Sequence, residues 1–449
     1  MNTRELILTM LMELDMGKEY SHIMIRNVLD KYNYIDGRDK AFIKRVTEGT
    51  IEWKLRIDYI LNAYSKTPVR KMKPLIRSLL RMSVYQIVWM DSVPDSAVCN
   101  EAVKLAQAHK FHNLKGFVNG VLRTIAREKD HIVYPDSSDK TRYFSVMYSM
   151  PEWIVKMWQK EYDDTTLETM LSTLIEGNPV TIRMDETLPQ DETEQCIRNM
   201  QKNGIIVNRH PYLPYAYTVE NTEGIGNIPE FVEGKFTVQD VSSMLVMQTA
   251  GIKEGNRILD VCAAPGGKAV HAACKLKGTG HVLARDLSEY KTELIEENID
   301  RFGYENIDIQ VWDATVLDES LIGTADVVIA DLPCSGLGIM GRKSDIKYRV
   351  TEESLVSLVP LQKKILETVW QYVKPNGTLM YSTCTIHRAE NEAMVEWITK
   401  NLPLELVSLE DYLPEELYSE TTKRGYIQLL PGVHKTDGFF IAKFRKKQD

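Results

Sequence analysis

From Phe236 onward, short apolar runs (RILDVC, HVLARD, IDIQVWD, ADVVIADLP, GTLMYSTC and FFIAKF) alternate with stretches of helical period. This alternation constrains the fold more than any other feature of the chain. Parallel strands need a crossover between them, usually a helix, and helices laid on both faces bury the strands completely. It predicts a doubly wound, Rossmann-like parallel α/β sheet over residues 236–449. In such sheets ligands collect beyond the carboxyl ends of the strands, so the residues that follow each run are where chemistry is expected.

The chain upstream reads differently. Over residues 1–130 the apolar positions recur at helical spacing: Leu6, Met10 and Leu14; Val98, Ala102 and Ala106; Val118, Leu122 and Ile125. An all-helical bundle is expected, with Asp95 and Ser96 as N-cap candidates and RDK at 38–40 opening another helix. Residues 131–141 lose periodicity and gather Pro, Ser and Asp, as a linker does. Residues 142–235 mix a helix around PEWIVKMW, an extended PVTIRMD, a helix ending near Gly204 and a strand at Ile205–Val207, which predicts a small α+β subdomain.

Charge informs only after division by domain. The whole chain carries a net −8, but residues 1–130 hold 22 Lys and Arg against 15 Asp and Glu, leaving +7 there and −15 in the remainder. The bundle is thus a candidate phosphate-contacting module, densest at Lys66, Arg70, Lys71, Lys73, Arg77 and Arg81. No run reaches the roughly 20 apolar residues of a membrane span, and the N-terminus lacks a secretory pattern. The six cysteines are scattered without a C-x-x-C pair, so neither a metal site nor a disulfide framework is expected, and free thiols suit a reducing cytoplasm. A monomer is expected.

The first strand ends in DVCAAPGGK, Asp260–Lys268. Gly266 and Gly267 permit close backbone approach, and the helix start that follows can face a ligand's negative end. Asp286 closes the next strand 26 residues after Asp260, where a carboxylate can accept from both hydroxyls of a ribose. Asp313, closing the third strand, is placed for the adenine end. G-x-G-x-x-G is absent at the first turn, which argues against a nicotinamide enzyme, and so is G-x-x-x-x-G-K-[ST], which argues against a phosphate-loop enzyme.

The fourth strand runs into DLPCSG and the fifth into STCT, putting Asp331, Cys334 and Cys384 on one rim. Carbon 5 of cytosine is a poor nucleophile until a thiolate adds at carbon 6, and that chemistry requires a cysteine. Asp331 is expected to hold the amino group and ring N3 of the base. An amino-group methyltransferase would instead carry D-P-P-Y, with an aromatic ring to stack on the base. The remaining cysteines, Cys99, Cys196 and Cys274, read as small core residues.

Taken together, DVCAAPGGK, RD at 285–286, WDA, DLPCSG, STCT, VQDVSSMLV, DIKYR, ENE and DGFFIAKF resemble the RNA 5-methylcytosine methyltransferases of the NOL1/NOP2/Sun group, over about residues 145–446. The first 130 residues resemble the NusB-like RNA-binding bundle through RDKAFIKRVTEGTIEW, LLRMSVYQIVWMDSVP and KGFVNGVLR. The resemblance implies S-adenosylmethionine as cofactor, held by Cys262, Ala263, Ala264, Pro265, Gly266, Gly267, Lys268, Asp286, Asp313 and Asp331. It also implies a covalent bond from Cys384, product release aided by Cys334, and small-subunit ribosomal RNA as partner. Because DNA cytosine methyltransferases use the P-C cysteine, Cys334 stays the alternative nucleophile. Transfer RNA is the alternative substrate, and a catalytically silent assembly factor the alternative function. Ala269, Ser344 and HRAENE depart from the usual pattern without touching the thiols or the acids.

Overall fold

The structure is a computed structural model and describes residues 2–448 apart from positions 18, 33 and 223. The chain forms two compact units, Met1–Glu176 with Met340–Arg349, and Gly177–Ile339 with Val350–Asp449.

The first unit is built around the helix Pro74–Trp89. Pro74 opens it, where a missing N–H costs nothing. Twelve of its residues are buried, including Leu79, Leu80 and Val84, so its whole circumference is core. The helix Gly37–Glu52 crosses it at Gly49, where a Cβ would lie 2.0 Å from the Tyr85 ring. Leu6, Met10, Val98, Ala102, Ala106, Val118, Leu122 and Ile125 are all buried in the same core, as their periodicity predicts. The caps differ in part: Asp36 caps Gly37–Glu52, while Pro94 takes the N-cap of Asp95–Ala108 and the Asp95 carboxylate instead receives Lys129 at 3.0 Å.

Residues 131–141 are more than a tether, because Tyr134 stacks on Tyr59 under the Arg56 guanidinium, 4.3 Å from the ring centre. The following helix, Lys140–Met147, joins the bundle, and Ser149 Oγ accepts the Leu55 N–H at 3.0 Å. The helices of 140–176 therefore lie in the first unit, not with the strands of residues 180–220. So does DIKYR: the buried Lys347 ammonium donates to the Glu52 carbonyl at 2.9 Å, and Asp345 accepts the Ser21 N–H at 2.9 Å.

The basic run divides in two. Lys66, Arg70, Lys71 and Lys73 are exposed. Arg81 is not: it forks onto both oxygens of Asp58 at 2.7 Å and reaches Asp15 at 2.9 Å, and Arg77 is drawn to the same Asp15. Arg81 is therefore a structural residue rather than a phosphate contact. Removing Arg81 takes from Asp58 its forked partner and leaves Asp15 with only Lys54 and Arg77, so Arg81→Ala is expected to destabilise this unit by about 2 kcal/mol. A denaturant midpoint unchanged from the wild type would contradict that assignment.

The second unit contains two sheets. The smaller comprises β1 (Val180–Met184), β2 (Ile206–Arg209), β3 (Ala216–Glu220) and β4 (Phe236–Val238), antiparallel in the order β2-β3-β1-β4. The helix Gln190–Lys202 supplies Cys196 and Met200 to a core with Ile182, Met184, Val219 and Phe236. Phe236 thus closes this sheet instead of opening the next.

The larger sheet comprises β5 (Arg257–Asp260), β6 (His281–Asp286), β7 (Ile307–Val311), β8 (Ala325–Asp331), β9 (Val373–Thr383), β10 (Leu404–Leu406), β11 (Tyr426–Leu429) and β12 (Phe439–Lys446). Its order is β10-β12-β9-β8-β5-β6-β7, with β11 also on β12. All six apolar runs are strands in it. Strands β5 to β9 are parallel, but β12 runs antiparallel to β9 and pairs antiparallel with β10 and β11. The sheet is mixed where a parallel one was expected, because apolar periodicity specifies a strand's faces and not its direction.

Candidate active site

Strands β6 and β7 lie on one side of β5, and β8 and β9 on the other, so the order reverses between β5 and β8. That reversal opens a crevice at the strand ends. The turn after β5 and the turn after β8 form its two walls, and side chains meet across it.

On the β5 side, Gly266 has φ +102°, and a Cβ there would press on the Ile295 backbone at 3.2 Å. The Ala264 N–H donates to Asp286 Oδ2 at 2.9 Å, and Asp286 Oδ1 accepts from the Leu287 N–H and the Lys291 ammonium. The Ala263 N–H instead continues the sheet to the Arg285 carbonyl, and Asn298 fixes the Pro265 carbonyl. Burial pushes the Cys262 thiol up in pKa, which keeps it a neutral wall. Asp313 is exposed, and its carboxylate caps its own turn by accepting the Thr315 N–H at 2.8 Å, which holds it below the ordinary carboxylate range.

Lys268 does not share the environment of the glycines before it. Its ammonium donates to Asp331 Oδ2 at 2.5 Å across the crevice and lies 5.4 Å over the Phe439 ring. Burial alone would favour its neutral form, but the charge and hydrogen bond of Asp331, with Asp260 and Cys384 contributing, raise its pKa above the usual lysine value. Ser382 donates to the other Asp331 oxygen at 2.7 Å. Asp260 is buried with neither carboxylate oxygen hydrogen-bonded, and burial pushes its pKa up to about 7 against the attraction of Lys268.

The two rim thiols meet. Cys334 Sγ and Cys384 Sγ are 3.2 Å apart, and both are partly exposed. The hydrogen bond to Cys384, reinforced by burial, holds the Cys334 thiol well above its ordinary pKa. Behind them the Gly338 N–H donates to the Cys384 carbonyl at 3.0 Å. Only glycine fits there, since a Cβ on Gly338 would lie 1.9 Å from the Gly438 oxygen. Cys99, Cys196 and Cys274 are buried elsewhere.

The structure thus brings together Asp331, Lys268, Cys334 and Cys384, and separately Asp286 with the turn 263–266. Asp313 it leaves on its own turn. Residue-by-residue reading missed Lys291, Ser382 and the buried Glu390; Ser382 had a signal in the STCT motif and Glu390 in the ENE motif, whereas Lys291 had none. Among the described residues no cluster suits a metal ion, and no helix is long and apolar enough to cross a membrane.

Comparison with known proteins narrows this chemistry. Residues 1–127 match the NusB family, 150–225 the ferredoxin-like domain of RsmF/B-like methyltransferases, and 247–445 the 16S rRNA methyltransferase RsmB/F family. The probable ribosomal RNA small subunit methyltransferase B of Bacillus subtilis is 34% identical over 450 residues, 99% of this chain and 99% of the relative. The chain belongs to the ribosomal RNA small subunit methyltransferase B family. The Salmonella arizonae member is 30% identical over 91% of each chain. The crystal structure of PH0851 shares the fold, with a TM-score of 0.81 at 22% identity over 99% of both chains.

Members of this family are S-adenosylmethionine-dependent methyltransferases, and S-adenosylmethionine is the cofactor here. The residues present fit it. Asp331 and Asp286 raise the cost of charge on Asp260, whose two oxygens are buried without a geometric hydrogen-bond partner. Such a site calls for added positive charge, which a sulfonium and an α-ammonium provide.

Proposed function

We propose that this enzyme methylates carbon 5 of a cytosine in small-subunit ribosomal RNA, through a covalent bond from Cys384 to carbon 6 of the base. The observation that carries this reading is the thiol pair, 3.2 Å apart beside an aspartate bridged to a lysine. A methyltransferase acting on an oxygen or an exocyclic nitrogen has no use for two adjoining thiols. One that must saturate and then restore a pyrimidine ring has a use for both.

Bound S-adenosylmethionine supplies an electrophilic methyl group. The chain's residues prepare its acceptor. The Cys384 thiolate adds to carbon 6, and the π pair of the 5,6 double bond moves toward the ring's N3 and carbonyl. Asp331 accepts from the cytosine amino group, and Lys268, already bonded to Asp331, offers its ammonium to the charge that develops on the ring. The electron-rich carbon 5 takes the methyl group as the methyl–sulfonium bond breaks, its electron pair staying on the sulfur as a neutral thioether. Its proton then leaves to water, the carbon–sulfur pair returns to Cys384, and aromaticity is restored. Cys334, whose pKa is raised, is the thiol placed to donate to the departing Cys384 thiolate and so ease release. Cys262 to Gly267 and Asp286 are proposed to line the cofactor, with Asp313 at its adenine end. The exposed Lys66, Arg70, Lys71 and Lys73 are proposed to contact RNA phosphates. A stacked helix hides carbon 6, so the target base must be unstacked or single-stranded.

The test is nucleoside analysis after incubation with unmodified small-subunit ribosomal RNA and S-adenosylmethionine carrying a labelled methyl group. Label in 5-methylcytidine is expected. Label only in a methylated amino group or ribose would overturn the reading, and label in transfer RNA alone would move the substrate.

A further inference from the structure

Two adjacent residues that the reaction does not use, Glu390 and Asn391, are both fully buried. Each grips one of the cysteine turns. Glu390 Oε2 accepts the Ser335 N–H at 3.0 Å and Gln362 Nε2 at 2.9 Å, and the same Gln362 nitrogen donates to the Pro333 carbonyl at 2.9 Å. The chain is thereby held on both sides of Cys334. Asn391 Oδ1 accepts from the Thr383 hydroxyl at 2.6 Å, and its Nδ2 donates to the Thr385 carbonyl at 3.0 Å. Those contacts hold both sides of Cys384. The turns are also tied to each other: the Ser335 hydroxyl donates to Glu390 Oε1 and pairs with the Thr385 hydroxyl, both at 2.6 Å.

We propose that Glu390 and Asn391 are positioning residues that set the separation of the two thiols by clamping residues 333–335 and 383–385 into one rigid frame. Turns after strands are ordinarily the mobile parts of a sheet. A carboxylate with several donors and an amide with both ends engaged, all out of water, remove that mobility. The mechanistic meaning of the clamp rests on the proposed two-thiol reaction, but the clamp itself is measurable without RNA or cofactor.

The two Glu390 oxygens are not equivalent. Oε2 faces two N–H groups that can only donate, whereas Oε1 faces the Ser335 hydroxyl and His387 Nδ1, at 3.0 Å, either of which can turn acceptor. A glutamine with its carbonyl at Oε2 and its amide nitrogen at Oε1 would keep every contact. Glu390→Gln should therefore preserve what Glu390→Ala destroys.

The experiment treats the full-length protein with dibromobimane, which becomes fluorescent when it bridges two nearby thiols, and locates the bridge by peptide mapping. Wild type and Glu390→Gln are expected to bridge Cys334 to Cys384 at similar rates. Glu390→Ala and Asn391→Ala should bridge more slowly and lose about tenfold to a hundredfold in kcat, the cost of misplacing reacting groups by about 1 Å. KM for RNA and cofactor affinity should stay within about twofold, because neither residue touches those ligands. Should the alanine variants fail to fold, the double variant Ser335→Ala, Thr385→Val removes the link between the two hydroxyls and the Ser335 hydroxyl's bond to Glu390 while leaving the backbone contacts of Glu390 and Asn391, and is expected to slow bridging as well. Bridging at the wild-type rate in a folded variant would overturn the clamp. Slowed bridging in an enzyme that makes no 5-methylcytidine would leave the clamp standing and overturn the reaction instead.

Discussion

Cys384→Ala is expected to abolish both methyl transfer and the denaturation-resistant protein–RNA adduct, a rate loss on the order of 10⁴-fold or more. On the proposed mechanism no electron pair reaches carbon 5 without the thiolate, and Cys334, which loses its hydrogen bond to Cys384 in this variant, is still raised in pKa by burial. Cys334→Ala should behave in the opposite way. It leaves the attacking sulfur in place but removes the thiol that donates to it as it departs, so the adduct should accumulate and turnover fall by about a hundredfold. Incubating each variant with RNA and S-adenosylmethionine, then separating the products under denaturing conditions, reads both outcomes. An adduct with Cys384→Ala and none with Cys334→Ala would reverse the roles of the two thiols.

Lys268→Ala is expected to produce the second-largest loss, about 10²- to 10³-fold in kcat/KM, because it removes the preorganised positive charge bonded to Asp331, the aspartate proposed to hold the base. Lys268→Met, which keeps much of the volume, should be similarly inactive, showing that charge rather than packing is at stake. The variant also makes a prediction for stability. Asp260 has an ordinary value of 3.8 but is pushed up to about 7 by burial, so the folded state holds a proton there that the unfolded state releases. Stability therefore falls as pH rises through that window and levels off above it. Lys268 is the main attraction restraining the upward shift. Without it the window must extend further up, so the melting temperature of Lys268→Ala should drop more steeply between pH 7 and 8.5 than that of wild type. Parallel pH profiles for the two proteins would mean that Lys268 does not act on Asp260.

The ends of the β-strands explain why so much of the site was legible. A βαβ alternation places every strand's carboxyl end on one rim, so Asp260, Asp286, Asp331, Cys334 and Cys384 could be assigned to a single crevice from their positions alone. The turn after β5 was equally readable, because two successive glycines before a helix report a backbone that must be approached closely. The helical stripes of the first unit were legible for a similar reason: a period of 3.6 names the buried face whatever that face packs against.

What could not be read was choice of partner. Arg81 looked like its neighbours in a basic run, yet Asp15 and Asp58, distant in sequence, claim it for the interior. Lys268 stood in a cofactor motif, yet its ammonium belongs to Asp331, 63 positions away. The direction of β12, the membership of residues 340–349 in the first unit and the clamp at Glu390 and Asn391 are of the same kind. Sequence by itself determined the helical stripes of the bundle, the six apolar strands of the large sheet and the side chains at their carboxyl ends, because those follow from local period and topology, while β3, β10 and β11 carried no such signal. Only the tertiary structure decided which charges and hydrogen bonds are satisfied by which partners, because a donor or a charge is indifferent to sequence distance and is paired by whatever burial brings within about 3 Å.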